Sequence, residues 1–308
     1  MLATFYIILP LMLLVALGHV AARAGLLAQS DWLGIERFSF KIMIPALLVQ
    51  AIARSDLSLS TSGPYVLTII LALLGAGLLT LALRVLPAAT VDNPQLSSMF
   101  QASTRWNGLI TLTIADQLYP ENGLIMIGIA MAFLVPLINV ANISVLSVLN
   151  ASGFALLPIL KNIAANPLIL GCAVGLFLNL SGIALPWAID QALDMTSRGA
   201  LAVGLICIGA GFDLRRLILL NWKVIWTVGI KFIASPLIAY TLSLLFGLSP
   251  MQSLCAVLAV ATPAATNGYI VARHMGGDAE LYAIILNWQL VLSVPAFPVL
   301  IYLMQGGG

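Results

Sequence analysis

Two copies of one dipeptide, Asn107-Gly108 and Asn267-Gly268, stand deep inside apolar stretches of this 308-residue chain. The first stretch reads SSMFQASTRWNGLITLTIADQ and the second AVLAVATPAATNGYIVARH. Glycine and proline loosen a helix at such points, and the freed backbone groups then need polar neighbours or a wet cavity. Thr262, Pro263 and Thr266 supply that chemistry beside the second copy. If both helices break and cross, their half-helix N-termini aim partial positive charge at a common centre, which suits a carboxylate. A single Asn-Gly reads most simply as a kink with an interhelical hydrogen bond; two copies at related positions favour a binding site.

Arg105 lies two residues before Asn107, about ten residues into its apolar stretch. An arginine at that depth faces a partner or a cavity. It is either the counter-charge of an anionic substrate or a structural partner of Asp116 or Glu121. Lys231 poses the same choice in a less polar context and reads as structural. Asn139, Asn142, Asn287 and Gln289 place amides on helices expected to flank the crossing, where bonding between helices is the simplest use of each. Gln50, beyond Pro45, could line the opposite wall, while Glu36, Arg37 and Lys41 pair or snorkel at a helix end.

These side chains need a frame that holds them in lipid. Hydrophobic residues make up 61% of the chain and charged residues 8%, and the mean hydropathy is +1.09. A soluble domain carries roughly 25% charged residues to wet its surface. The net charge of +2 forms no phosphate-gripping cluster, which argues against nucleic acid as a partner. Cys172, Cys207 and Cys255 sit in apolar runs without metal or CxxC spacing and read as small buried hydrophobes. The first apolar segment lacks a basic leader and is long enough to span, so it is expected to stay as a helix.

Ten windows are long and apolar enough to cross a bilayer: approximately 4–27, 33–53, 63–86, 96–118, 122–149, 166–185, 190–211, 222–247, 251–274 and 280–304. Asp92-Asn93-Pro94, Tyr119-Pro120-Glu121-Asn122 and Gly276-Gly277-Asp278 punctuate them. Arg23, Arg84, Lys161, Arg215, Arg216, Lys223 and Arg273 fall in the odd-numbered connections, against Arg54 and Arg198 on the other side. The positive-inside rule then puts both termini outside.

Residues 10–57, shifted by 157, lie without a gap on 167–214. Pro10 meets Pro167, Gly18 meets Gly175, Gly25 meets Gly182, Lys41 meets Arg198, and Asp56-Leu57 meets Asp213-Leu214. Further on, at an offset near 160, Asn107-Gly108 falls on Asn267-Gly268. Five spans per repeat is an odd number, so the copies must be inverted. The expected fold is therefore an all-α polytopic membrane protein of ten helices in two inverted five-helix repeats, 1–157 and 158–308, with the fourth and ninth helices broken and crossed.

Several chemistries lack their residues. Neither break holds Asp or Glu, so the carboxylates of a sodium/proton antiporter are missing. His19 and His274 stand in no zinc pattern, and no GxSxG, Walker loop or TVGYG-like filter occurs. An enzyme is not expected, and neither a metal nor an organic cofactor is implied.

IMIPALLVQAI, TRWNGLITLTIADQLYPENGL followed by VPLINVANISVLSVL, NPLILGCAVGL and ATPAATNGYIVARHMGGDAEL touch both repeats. In their order and spacing the chain resembles the auxin efflux carrier family, in its bacterial malonate or malate permease-like branch. The resemblance implies a scaffold of spans 1, 2, 6 and 7 and a transport domain of spans 3–5 and 8–10 that moves as an elevator. It makes Asn107 the crossover amide, Thr262-Pro263-Ala264 the second break, and Asn139 and Asn142 support positions. The crossover proline expected after Asn107 is replaced here by Ile110.

The expectation is a secondary carrier for a small organic anion, a carboxylate, in a bacterial inner membrane. Its site is drawn from Arg105, Asn107, Gly108, Thr262, Pro263, Thr266, Asn267, Gly268, Asn139, Asn142, Gln289 and Gln50. The alternatives are a sodium-coupled symporter resembling the bile acid family, which shares this architecture, and a passive channel. A coupling proton or sodium ion stays open, as does a homodimer through the scaffold.

Overall fold

The computed structural model describes residues 2–54, 59–86, 90–120, 122–150 and 165–305, and every regular element among them is helical. Lys161, Glu121 and Asp56-Leu57 lie outside the described residues. In chain order the helices are α1 (Leu2–Arg23), α2 (Gln29–Phe38), α3 (Ile44–Ala53), α4 (Leu59–Leu81), α5 (Asn93–Thr104), α6 (Gly108–Leu118) and α7 (Asn122–Asn150). After them come α8 (Pro167–Ser181), α9 (Trp187–Ser197), α10 (Ala200–Ala210), α11 (Trp222–Gly229), α12 (Ser235–Leu245), α13 (Pro250–Ala261), α14 (Gly268–His274) and α15 (Ala279–Met304).

Five helical stretches are long and apolar enough to cross a membrane: Gly63–Val85, Asn122–Asn150, Trp187–Ala210, Trp222–Leu245 and Ala279–Met304. The chain is thus a polytopic helical membrane protein. The other windows are built from shorter pieces for visible reasons. α2 and α3 are joined through a wide π turn, Ser39–Met43, and carry Asp31, Glu36, Arg37 and Lys41 between them. α8 is only 15 residues long. The fourth and ninth windows are each split, into α5 and α6 and into α13 and α14. Arg198 lies between α9 and α10, midway along its span, and pairs with Asp194.

The described chain forms two compact units. The first comprises Met1–Ser62, Leu109–Val135 and Lys161–Phe212. In it α1 packs along α10 with almost no side chain between them. A methyl group added at Gly18 would come within 1.9 Å of the Ile206 carbonyl oxygen, and one at Gly209 within 1.9 Å of that of Val15. α8 approaches α3 in the same way, with a Cβ at Gly175 placed 2.9 Å from the Ile52 Cβ and 3.0 Å from the Val49 carbonyl oxygen. Lipid tails are as apolar as leucine, so close backbone contact of small residues holds helices together where burial from water cannot.

Gly18→Ala is therefore expected to cost about 1–3 kcal/mol, because the methyl meets rigid backbone rather than a movable side chain. Gly34→Ala is the control, since its Cβ would meet nothing within 4 Å. The apparent melting temperature of the purified protein should fall for the first and hold for the second. Equal melting of both would remove the close-contact account of this interface.

The second unit comprises Gly63–Gly108, Pro136–Leu160 and Asp213–Gly308. Its apolar core also encloses a set of polar side chains. Ser97, Ser98, Gln101, Ser103 and Thr104 on α5 are all buried, whereas Leu78, Ile233 and Leu237 are exposed. A helix made of serine, threonine and glutamine is held in place by partners inside the bundle while leucine and isoleucine face lipid.

Candidate anion site at the broken helices

α5 starts with its capping chemistry in place: the Asp92 carboxylate accepts from the Gln95 amide at 2.8 Å and Pro94 occupies the first turn. It stops at Arg105, whose backbone turns to an extended φ/ψ of −68°/147°, and α6 begins three residues later at Gly108. α13 repeats the sequence of events. Ser249 and Gln252 form a reciprocal cap, Pro250 opens the helix, and the chain turns extended at Thr262 with φ/ψ of −69°/146°. α5 and α13 are each 12 residues long and stand 157 residues apart. The second break, 262–267, is three residues longer than the first, which accounts for the offset of 160 between Gly108 and Gly268.

Gln289 on α15 ties the two breaks together. Its Oε1 accepts from the Ala264 amide at 2.8 Å and its Nε2 donates to the Ala102 carbonyl at 3.0 Å. One buried amide thus satisfies a donor freed in the second break and an acceptor at the end of α5. Tyr282 secures the second break from the other side: its hydroxyl donates to the Ala265 carbonyl at 2.6 Å and its ring lies where a side chain at Gly268 would fall.

Arg105 is 3% exposed. Its Nε donates to Gln101 Oε1 at 2.9 Å and its Nη1 to Asn139 Oδ1 at 3.3 Å. Its Nη2, and Nε2 of the neighbouring Gln101, are buried without a hydrogen-bond partner among the described residues. Thr104 donates to Asn142 Oδ1 at 3.2 Å, and Asn142 Nδ2 caps back on the Ile138 carbonyl at 2.8 Å. Both α7 asparagines thereby hold the α5 terminus, and Arg105 is bonded to amides rather than to Asp116.

Lys231, whose sequence context reads as structural, is bonded to the backbone at the end of α5. It sits in a π turn, Ile230–Ala234, between α11 and α12. Its fully buried ammonium donates to the Arg105 carbonyl at 2.7 Å and to the Ser103 carbonyl at 3.4 Å. A cation there satisfies the negative end of α5. The sequence signal that could have found it is depth alone: a lysine nine residues into a span that begins at Trp222.

No Asp or Glu is among the buried polar side chains of the described residues, so two buried cations stand together without a buried carboxylate. The ion pairs that the described residues form, Arg54–Asp190, Arg198–Asp194 and Arg216 with Asp213 and Glu280, include neither Arg105 nor Lys231.

The remaining expected site residues divide. Asn107, Thr262, Pro263 and Gly268 are buried or lie against buried side chains of the second unit. Gly108 and Thr266 are half-buried, and Asn267 is exposed, with no side-chain capping bond to α14. The two repeat-related asparagines are thus unequal. Asn287 is occupied elsewhere, accepting from the Asp213 amide at 2.9 Å. Gln50 falls in the first unit, where its Oε1 accepts from Ser197 Oγ at 3.2 Å and its Nε2 donates to the Asp190 carbonyl at 3.5 Å.

Residues 151–301 match the family model described as Membrane transport protein, consistent with the resemblance to auxin efflux carriers carried by the motifs. No curated protein matches the chain. The match names a class of transporters rather than of enzymes and agrees with a multi-pass helical fold. Over those residues, nearly half of its length, the chain is similar to a family of membrane transport proteins.

Proposed function

We propose that this chain is a secondary carrier for a small organic carboxylate, bound at the broken helices of the second unit. The observation that carries the reading is the Arg105 guanidinium, buried beside Gln101 with one nitrogen of each side chain unpartnered among the described residues. Burying a cation without a counter-ion is costly, so the arrangement is completed by an anion that enters and leaves. A carboxylate fits the planar fork of an arginine, and Gln101 Nε2 adds a neutral donor. Asn107, Asn139 and Asn142 shape the surroundings, and Gln289 fixes the distance between the breaks.

An inverted repeat supports a carrier over a pore. Gly18 approaches Ile206 and Gly175 approaches Val49, which is one contact reproduced at an offset of 157 residues with the repeats exchanged. α5 and α13 follow the same offset. In such folds one body moves against another around a midplane site. The cation cluster is built from spans 4, 5 and 8, so spans 3–5 and 8–10 are the moving body in this reading, and spans 1, 2, 6 and 7 are the scaffold. The basic residues of the odd-numbered connections favour termini outside, in a bacterial inner membrane.

Reconstitution into liposomes tests the function. Uptake of a labelled dicarboxylate is expected to saturate and to accelerate when unlabelled substrate is trapped inside. Conductance without such acceleration would make the protein a channel, and transport of neutral solutes with no carboxylate competition would end the anion reading.

A further inference from the structure

The lipid-facing surface of the second unit carries a groove that the crossing does not use. It measures about 550 Å³ and is lined by Leu79 of α4 and by Trp222, Ile225, Trp226, Gly229 and Ile233 of α11 and the following π turn. The walls are apolar throughout. From Trp222 to Ala234 the lining runs roughly 18 Å along the helix. That is about the depth of one leaflet, half of a hydrocarbon core ~30 Å thick.

Lys223 follows Trp222, the residue at one end of the lining, and is not itself part of the wall. The Lys223 ammonium lies 6.0 Å from the centre of the Trp222 ring. It donates to Gln95 Oε1, which uses one of its three hydrogens. A lysine beside the tryptophan that ends an apolar groove is the pattern of a membrane interface, with hydrocarbon below and phosphate above.

We infer that this groove is a binding site for one anionic phospholipid, its acyl chain lying along Trp222–Ala234 and its phosphate on Lys223. The occupant packs against the turn that carries Lys231, and so braces the residue that holds the end of α5. Nothing in this inference depends on what the protein transports.

Gly229 provides the test. A Cβ added there would meet nothing within 4 Å, so Gly229→Leu fills the groove without forcing its neighbours apart. The purified protein is equilibrated with equal amounts of phosphatidylglycerol and phosphatidylcholine and analysed by native mass spectrometry. Wild type is expected to retain one phosphatidylglycerol in preference, and Gly229→Leu to lose it. Lys223→Gln is expected to reduce the headgroup preference about fivefold, the contribution of one basic residue near an anionic surface. Ile233→Asn, at an exposed position, is a second way of spoiling the chain-binding wall should the leucine variant fail to fold. Equal retention of the two lipids by wild type would reduce the groove to ordinary solvation and overturn the inference. Undiminished phosphatidylglycerol retention in both groove variants would overturn it too. So would a dimer that Gly229→Leu dissociates, because a second copy would then be the occupant.

Discussion

Replacing Gln289 by leucine is expected to cost about 2–6 kcal/mol of stability. Leucine has nearly the shape of glutamine, so packing is retained. What disappears is the partner of two backbone groups at once, the Ala264 amide and the Ala102 carbonyl. Each is buried where water does not replace the lost bond, and each unsatisfied group costs about 1–3 kcal/mol. Melting of the purified variant measures the sum. Hydrogen exchange over 258–266 locates it, since the Ala264 amide should lose its protection while α1 and α10 keep theirs. A variant that melts with wild type would show that the second break is held by other bonds.

Arg105→Gln is expected to act in the opposite way, weakening carboxylate binding about 100-fold or more while leaving the empty protein as stable as wild type or more so. Hydrogen bonds to charged groups contribute about 1.5–3 kcal/mol each, and the loss of two exceeds the 2.7 kcal/mol that corresponds to a hundredfold in affinity. The empty protein, by contrast, is relieved of a buried cation that has no carboxylate partner among the described residues. Glutamine still reaches towards the Gln101 and Asn139 carbonyl oxygens. A thermal-shift series reads both effects. Wild type with carboxylate at 100 times its dissociation constant gains about 2.7 kcal/mol, and the variant gains almost nothing at the same concentration. Arg105→Lys keeps the charge but not the fork, and is expected to bind between the two. If Arg105→Gln binds carboxylate normally, or melts early when empty, the guanidinium is structural and the anion site lies elsewhere.

The polar anatomy of the second unit was legible one helix at a time. Asn107-Gly108 and Thr262-Pro263 announce their breaks because glycine and proline act on the local backbone. Arg105 announces itself by depth, since a buried cation must be accounted for. Partnerships were another matter. Asn139 and Asn142 were named as amides on a flanking helix, but that one takes the Arg105 guanidinium and the other the Thr104 hydroxyl follows from the rotation of α7. Lys231 reads as structural from its apolar neighbours in sequence, but that it holds the carbonyls of Ser103 and Arg105, more than 120 residues away, is set by packing.

Repetition of sequence also promised more symmetry than the site has. Asn107 is buried and Asn267 is exposed, because the second break is three residues longer and carries its asparagine out of the cluster. The change of offset from 157 to near 160 shows that residues are added between the copies, but not that they leave the second asparagine exposed. Gln50 shows the same limit: a polar residue beyond a proline reads as a wall of the site, yet its amide is bonded to Ser197 and Asp190 within the first unit.

The sequence by itself determined the solvent, the helical class, the two break points and the presence of a cation deep in a span. Each of these is set by composition or by the backbone preferences of a few adjacent residues. The tertiary structure alone decided that Gln289 joins the breaks, that Lys231 closes the end of α5, and which of the two repeat-related asparagines is buried. Hydrogen bonds in a bilayer are made with whatever group packing brings within 3 Å, and rotation of a helix by one residue, about 100°, changes that group entirely.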